Sequence, residues 1–130
     1  MAAVTFRDET PTGKRIAEWE LTGLPDRMTV RELIALRVRE ETTRHHAHPG
    51  DHFTGLVRPE DAEPAPNGHR LPEPRPVDPA RQTEAAENAF LTNGFFVLSD
   101  DRQLESLDET VDLTPGPTLV FVKLVALVGG

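Results

Sequence analysis

Apolar and polar residues alternate along Ala3-Val4-Thr5-Phe6-Arg7 and again along Arg15-Ile16-Ala17-Glu18-Trp19-Glu20-Leu21. A period of two sends successive side chains to opposite faces of a strand. Pro11-Thr12-Gly13-Lys14 between the runs supplies a turn, so this segment predicts a β-hairpin. Leu24-Pro25-Asp26-Arg27-Met28 breaks the alternation. Thr29 then stands as a helix N-cap with Glu32 three residues on, the spacing of a capping box. Val30, Leu33, Ile34, Leu36 and Val38 give a helical apolar face that predicts a helix running to about Thr42.

From residue 44 to residue 79 the pattern stops. The segment holds all five histidines and most of the twelve prolines, with little that forms a core, and reads as a flexible inserted loop. Residues 79–91 contain good helix formers and predict a second, shorter helix, which Asn93-Gly94 stops. Phe95-Phe96-Val97-Leu98 reads as a strand, residues 99–102 as a turn, and Gln103-Leu104-Glu105 as a short strand or its continuation. Residues 107–113 read as irregular or as a single turn. Pro115-Gly116-Pro117 then turns the chain into a final run over residues 119–128 in which nearly every position is apolar. Such a run suits a central strand covered on both faces, or one continuing into a partner's groove. The order predicts an α+β fold, a mixed sheet of four to five strands with its helices on one face. The first and last strands are expected to lie adjacent and parallel at its centre.

Composition narrows the picture. At 130 residues the chain is of a size for one domain, and without the proline-rich stretch about 90 residues remain to fold. The chain has no cysteine, which excludes disulfides, thiolate metal sites and a thiol nucleophile of its own. A formal charge of -8 argues against nucleic acid as a partner and for steering toward basic protein surfaces. Of fourteen cationic residues only Lys14 and Lys123 are lysines, a bias that suggests a GC-rich bacterial genome. No N-terminal segment has the shape of a signal peptide, and the longest apolar run is about half a membrane span. The expected setting is the cytoplasm, with no membrane partner.

Chemistry concentrates at one end. Gly129-Gly130 follows the apolar run directly, and two residues without Cβ enter narrow channels closed to others. A carboxylate carried on such a tail, residues 124–130, is a handle that another protein's active site can reach. His45, His46, His48, Asp51 and His52 form a dense cluster, but a proline-flanked loop holds ligands poorly, so they read as solvated residues and no metal site is assigned. Asp100, Asp101, Glu105, Asp108, Glu109 and Asp112 are scattered through loops and suggest no catalytic pair. Trp19 reads as packing within its strand.

These pieces, in this order, resemble the ubiquitin-like β-grasp family. The hairpin with its Thr12-Gly13-Lys14 turn, the capped helix, Phe96-Val97-Leu98, Arg102-Gln103-Leu104-Glu105, Thr118-Leu119 and Gly129-Gly130 follow the order of ubiquitin's Thr-Gly-Lys, helix, Leu-Ile-Phe, Lys-Gln-Leu-Glu, Thr-Leu and Gly-Gly. The resemblance covers residues 3–42 and 94–130. Residues 44–93 have no ubiquitin counterpart. The approach to the diglycine (Val125, Ala126, Leu127, Val128) is apolar, where ubiquitin's is arginine-rich. That tail is closer to the sulfur carriers of thiamine and molybdopterin synthesis.

The resemblance implies a protein modifier that is not itself an enzyme and holds no cofactor. An activating enzyme spends ATP to adenylate the Gly130 carboxylate, a cysteine of that enzyme or of a transferring enzyme takes the acyl group as a thioester, and a target lysine receives it as an isopeptide. A deconjugating protease is a further expected partner. Gly129 and Gly130 are the conjugation residues, and Leu127 and Val128 the positions a partner reads. Leu98 and Val122 fall where ubiquitin has its apolar recognition patch, though ordinary sheet packing accounts for them equally. Lys14 is the candidate for self-conjugation, since Lys123 lies within the last strand. Two alternatives stand beside this reading: a sulfur carrier with a C-terminal thiocarboxylate, and a non-conjugated binding module.

Overall fold

The computed structural model describes residues 1–47, 52–53, 63–65, 68–70, 78–100 and 102–123. They divide into two compact units, Met1–Glu32 with Phe90–Gly130, and Leu33–Ala89. The architecture is α+β, with a mixed five-stranded sheet and two helices.

In the first unit, β1 (Ala2–Glu9) and β2 (Arg15–Leu24) form the expected hairpin. Its turn closes through bonds from the Thr10 N–H to the Lys14 carbonyl and from the Gly13 N–H to the Thr10 carbonyl, both 2.9 Å. Gly13 sits at φ 89, a left-handed conformation that a side chain would strain. β7 (Phe95–Ser99), β8 (Arg102–Leu104) and β10 (Thr118–Lys123) complete the sheet in the order β2-β1-β10-β7-β8. β10 runs parallel to β1, with Phe6 opposite Leu119 and Asp8 opposite Phe121, and antiparallel to β7. The central parallel pair is the arrangement that the apolar last strand predicts.

Burial alternates strictly along β1 and β7. Val4, Phe6, Phe95, Val97, Leu104, Leu119 and Phe121 are buried on one face of the sheet. Aromatic rings carry this core across the strands. Phe6 meets Trp19 edge-on at 5.9 Å and Phe121 at 5.4 Å, and Phe95 lies 6.2 Å from Phe121 and 6.0 Å from Phe90. Each fully buried phenylalanine contributes about 1.5–3 kcal/mol. Trp19 is therefore a packing residue, half-buried at the edge of the core.

Four features depart from the expectations. β10 is not covered on both faces: Leu119 and Phe121 are buried, while Thr118, Val120 and Val122 are half-buried. A two-stranded antiparallel sheet joins β3 (Arg27–Thr29) to β9 (Thr110–Asp112), where the sequence pattern shows only a broken run and an irregular segment. Three residues are too few to display a period, and their partner lies far away in sequence. α1 (Val30–Ala47) continues past Thr42, so residues 44–47 belong to the helix and not to a loop. Within the stretch read as a loop, β4 (His52–Phe53), β5 (Glu63–Ala65) and β6 (Gly68–Arg70) form a small antiparallel sheet in the order β4-β6-β5.

The segment just before β9 completes the start of α1. The first backbone N–H groups of a helix have no partner within it. Here the Val30 N–H donates to the Glu109 carbonyl at 2.9 Å and the Arg31 N–H to the Leu107 carbonyl at 3.0 Å. The capping box closes reciprocally: the Glu32 N–H donates to Thr29 Oγ1 at 3.1 Å, and the Thr29 N–H donates to Glu32 Oε1 at 2.9 Å.

In the second unit, α1 buries Leu33, Ile34, Arg37, Val38, Glu41 and Thr42, a stripe at helical spacing that includes an ion pair. α2 (Pro79–Leu91) has the bounds its composition predicts. Asp78 caps it, with Oδ1 accepting from the Ala80 N–H at 2.9 Å, and Pro79 takes the first helical position. Beyond the end of α2, back in the first unit, Asn93 adopts φ 62 and its N–H donates to the Phe90 carbonyl, the left-handed stop that Asn93-Gly94 implies. Among the described residues no helix is long and apolar enough to cross a membrane.

Candidate functional site

The candidate residues Gly129, Gly130, Leu127 and Val128 lie outside the described residues, as does the whole tail 124–130. The chain is described up to Lys123, the last residue of the central strand β10. The Lys123 ammonium lies 3.7 Å from Oδ2 of Asp8, whose side chain is only 5% exposed. Parallel pairing of β1 with β10 produces this contact, because it sets Asp8 level with Phe121, two residues before Lys123. Both charges therefore sit where the strand reaches the end of its described course.

Leu98 and Val122 fall on the half-buried face of the sheet, and each has an apolar cross-strand partner. Val120 is opposite Leu98, and Val122 is opposite Phe96. The four make one contiguous patch on two neighbouring strands, of which the sequence pattern singled out only half. Phe96 and Val120 were legible in principle, since both continue the alternation that places Leu98 and Val122 outward.

A charged strip borders the patch on the β1 side. Arg7 is the register partner of Val120, and Glu9 that of Val122. Arg7 Nε donates to Glu18 Oε2 on β2 at 2.6 Å, and its Nη1 lies 3.6 Å from Glu9. The hydrogen bond from Arg7 holds the Glu18 carboxyl below the ordinary range for a glutamate, and the same bond raises the Arg7 guanidinium. The strip thus offers a partner two acidic groups around one guanidinium.

Of the two lysines, Lys14 is exposed in the hairpin turn, its backbone N–H donating to Thr10 Oγ1 at 3.0 Å. Lys123 is 28% exposed and paired as described. The turn therefore presents one amine on a fixed backbone.

Three of the loop carboxylates are engaged in local structure. Asp108 accepts from Arg31 Nη2 at 3.4 Å, Glu109 pairs with Arg102, and Asp112 accepts from the Thr114 hydroxyl at 2.7 Å. That hydroxyl, with the Thr114 N–H, holds the Asp112 carboxyl below its usual value. Among the described residues no group of three or more histidine or carboxylate side chains is placed to hold a metal. The histidine cluster (His45, His46, His48 and Asp51, with the side chain of His52) lies outside the described side chains. Comparison of the chain with protein-family models, curated proteins and solved structures found no match.

Proposed function

We propose that this chain is a ubiquitin-like protein modifier of bacterial type, joined to target lysines through the carboxylate of Gly130. The observation that carries the reading is the sheet order β2-β1-β10-β7-β8, with the first and last strands parallel at its centre and a capped helix following the hairpin. That order is compatible with a grasp arrangement, and it supports the reading taken from the sequence pieces that resemble ubiquitin. The last strand of such a sheet leads into residues 124–130, where Gly129-Gly130 stands.

The chemistry follows from the poor reactivity of a carboxylate. Attack of the Gly130 carboxylate on ATP forms an acyl adenylate and releases pyrophosphate. A partner's cysteine thiolate displaces AMP to give a thioester. The amine of a target lysine then displaces the thiol, forming the isopeptide and losing one proton. With no cysteine of its own, the chain contributes the acyl group while the partners contribute nucleophiles and catalysis. Side chains at 129 or 130 would obstruct the approach that these transfers require. The sheet patch around Leu98 and Val122, with its charged border, is the surface offered to the partner enzymes.

The apolar residues Val125 to Val128 favour a second reading, a sulfur carrier whose acyl adenylate is attacked by a partner's persulfide with loss of AMP, and whose acyl disulfide is then cleaved by a partner's thiol, leaving a thiocarboxylate and a disulfide on the partner. Mass spectrometry of the protein from its own cells separates the two. A diglycine remnant on lysines of other proteins, lost on deletion of Gly130, is the expected result. Replacement of one terminal oxygen by sulfur favours the carrier. A chain that carries neither mark, or whose mass places no carboxylate at Gly130, refutes both.

A further inference from the structure

The sheet has an open edge at β8, and beside it lies a pocket of about 170 Å³. Phe90, Phe95 and Leu104, each at least nine-tenths buried, and half-buried Phe96 line it. Its rim is polar, made by the exposed Asn93, Gln103 and Glu105. Glu105 makes no ion pair or hydrogen bond among the described side chains, unlike Asp108, Glu109 and Asp112 in the same loop region.

The backbone at this edge is also directed. Ser99 and Arg102 are register partners across a two-residue connection, which makes them the hydrogen-bonded pair that closes a hairpin. Pairs alternate along an antiparallel ladder, so Val97 with Leu104 is hydrogen-bonded and Leu98 with Gln103 is not. The N–H and C=O of Gln103 therefore point away from β7, toward the open edge. No strand among the described residues pairs with β8 on that side.

From these two features we infer that the β8 edge docks an extended peptide segment that places a lysine or arginine side chain in the pocket. An added strand exchanges a pair of backbone hydrogen bonds with Gln103. The basic side chain lays its aliphatic stem along Phe90 and Phe96, with its cation over an aromatic face. Its head reaches the Glu105 carboxylate and the amide oxygens of Gln103 and Asn93, which are acceptors for its several N–H donors. An acidic peptide is rejected at the same site by Glu105 and by the chain's overall charge of -8. This surface adjoins the patch around Leu98 and Val122 and shares Phe96 with it.

The test uses the full-length chain, isotopically labelled, and a synthetic capped pentapeptide of alternating threonine and valine with a central lysine. Its control carries glutamate in place of the lysine. The expected result is that amide resonances of Asn93, Gln103, Leu104 and Glu105 shift on titration with the lysine peptide and not with the glutamate peptide. Glu105→Gln is expected to weaken binding about two- to fivefold. Gln103→Pro removes an outward N–H without touching the ladder to β7 and is expected to weaken it about tenfold. If that variant does not fold, Glu105→Gln and the control peptide still decide the matter. Equal binding of both peptides, shifts confined to other strands, or no shifts at millimolar peptide overturns the inference.

Discussion

Arg37 and Glu41 stand one helical turn apart on α1, with Arg37 Nε donating to Glu41 Oε1 at 2.6 Å, and their side chains are 2% and 3% exposed. Near a protein surface, opposite charges 4 Å apart attract by about 4 kcal/mol. Removing the two ions from water costs several kcal/mol each, so the pair as a whole contributes close to nothing. Losing one member is different, because the other buried charge loses its bonded counter-charge at 2.6 Å. Arg37→Met and Glu41→Leu are each expected to destabilise by about 3–5 kcal/mol. With a urea dependence of about 2 kcal/mol per molar, a loss of that size moves the unfolding midpoint down by about 1.5–2.5 M. The double variant Arg37→Met/Glu41→Leu replaces the pair by apolar volume and is expected to stay within about 2 kcal/mol of the parent. Urea unfolding followed by far-ultraviolet circular dichroism measures all four proteins. Single losses under about 1 kcal/mol that simply add in the double variant would refute the reasoning, since they would describe a hydrated surface pair.

Other perturbations test neighbouring elements. Thr29→Ala removes one half of the reciprocal cap of α1 and should cost about 1 kcal/mol in thermal or urea unfolding. Gly116 turns the chain toward β10 at φ 68 with open space around it, so Gly116→Ala should cost about 1–2 kcal/mol through backbone strain alone. The Asp112 carboxyl titrates below its usual value of 3.8 because the Thr114 hydroxyl stabilises its charge. Its contribution to stability is therefore present above that value and lost as pH falls through the lower folded one. Thr114→Val should bring the Asp112 titration back toward the usual value, read by carboxyl carbon resonances against pH. Under limiting acylation, Lys14 should be modified ahead of Lys123, as peptide mass mapping would record.

Elements whose period fits within one segment were legible in the chain. The alternating hairpin, the Thr29–Glu32 cap, the bounds of α2 and the parallel centre of the sheet all followed from local pattern plus one topological inference. β3 and β9 were not legible, because each is three residues long and pairs with a partner some eighty residues away in the chain. Arg37 and Glu41 escaped for a related reason: charged residues at core positions interrupt the apolar count that signals a buried face. The outer patch was half legible. Leu98 and Val122 stood out through resemblance, whereas joining them with Phe96 and Val120 into one patch needed the strand register. The pocket beside β8 needed Phe90 and Glu105 to be brought to one edge, which no sequence period records.

The parallel pairing of β1 with β10 has a consequence for biosynthesis. β1 must wait for β10, which is made far later in the chain, and β7 on the far side of β10 waits with it. Until β10 emerges, the nascent chain holds a hairpin and a β7–β8 pair with a vacant slot between them, exposing Phe6 and Phe95. Closure is thus a late, long-range event that is slow by its topology. Translational arrest before residue 118 should leave a species prone to aggregate or to attract chaperones.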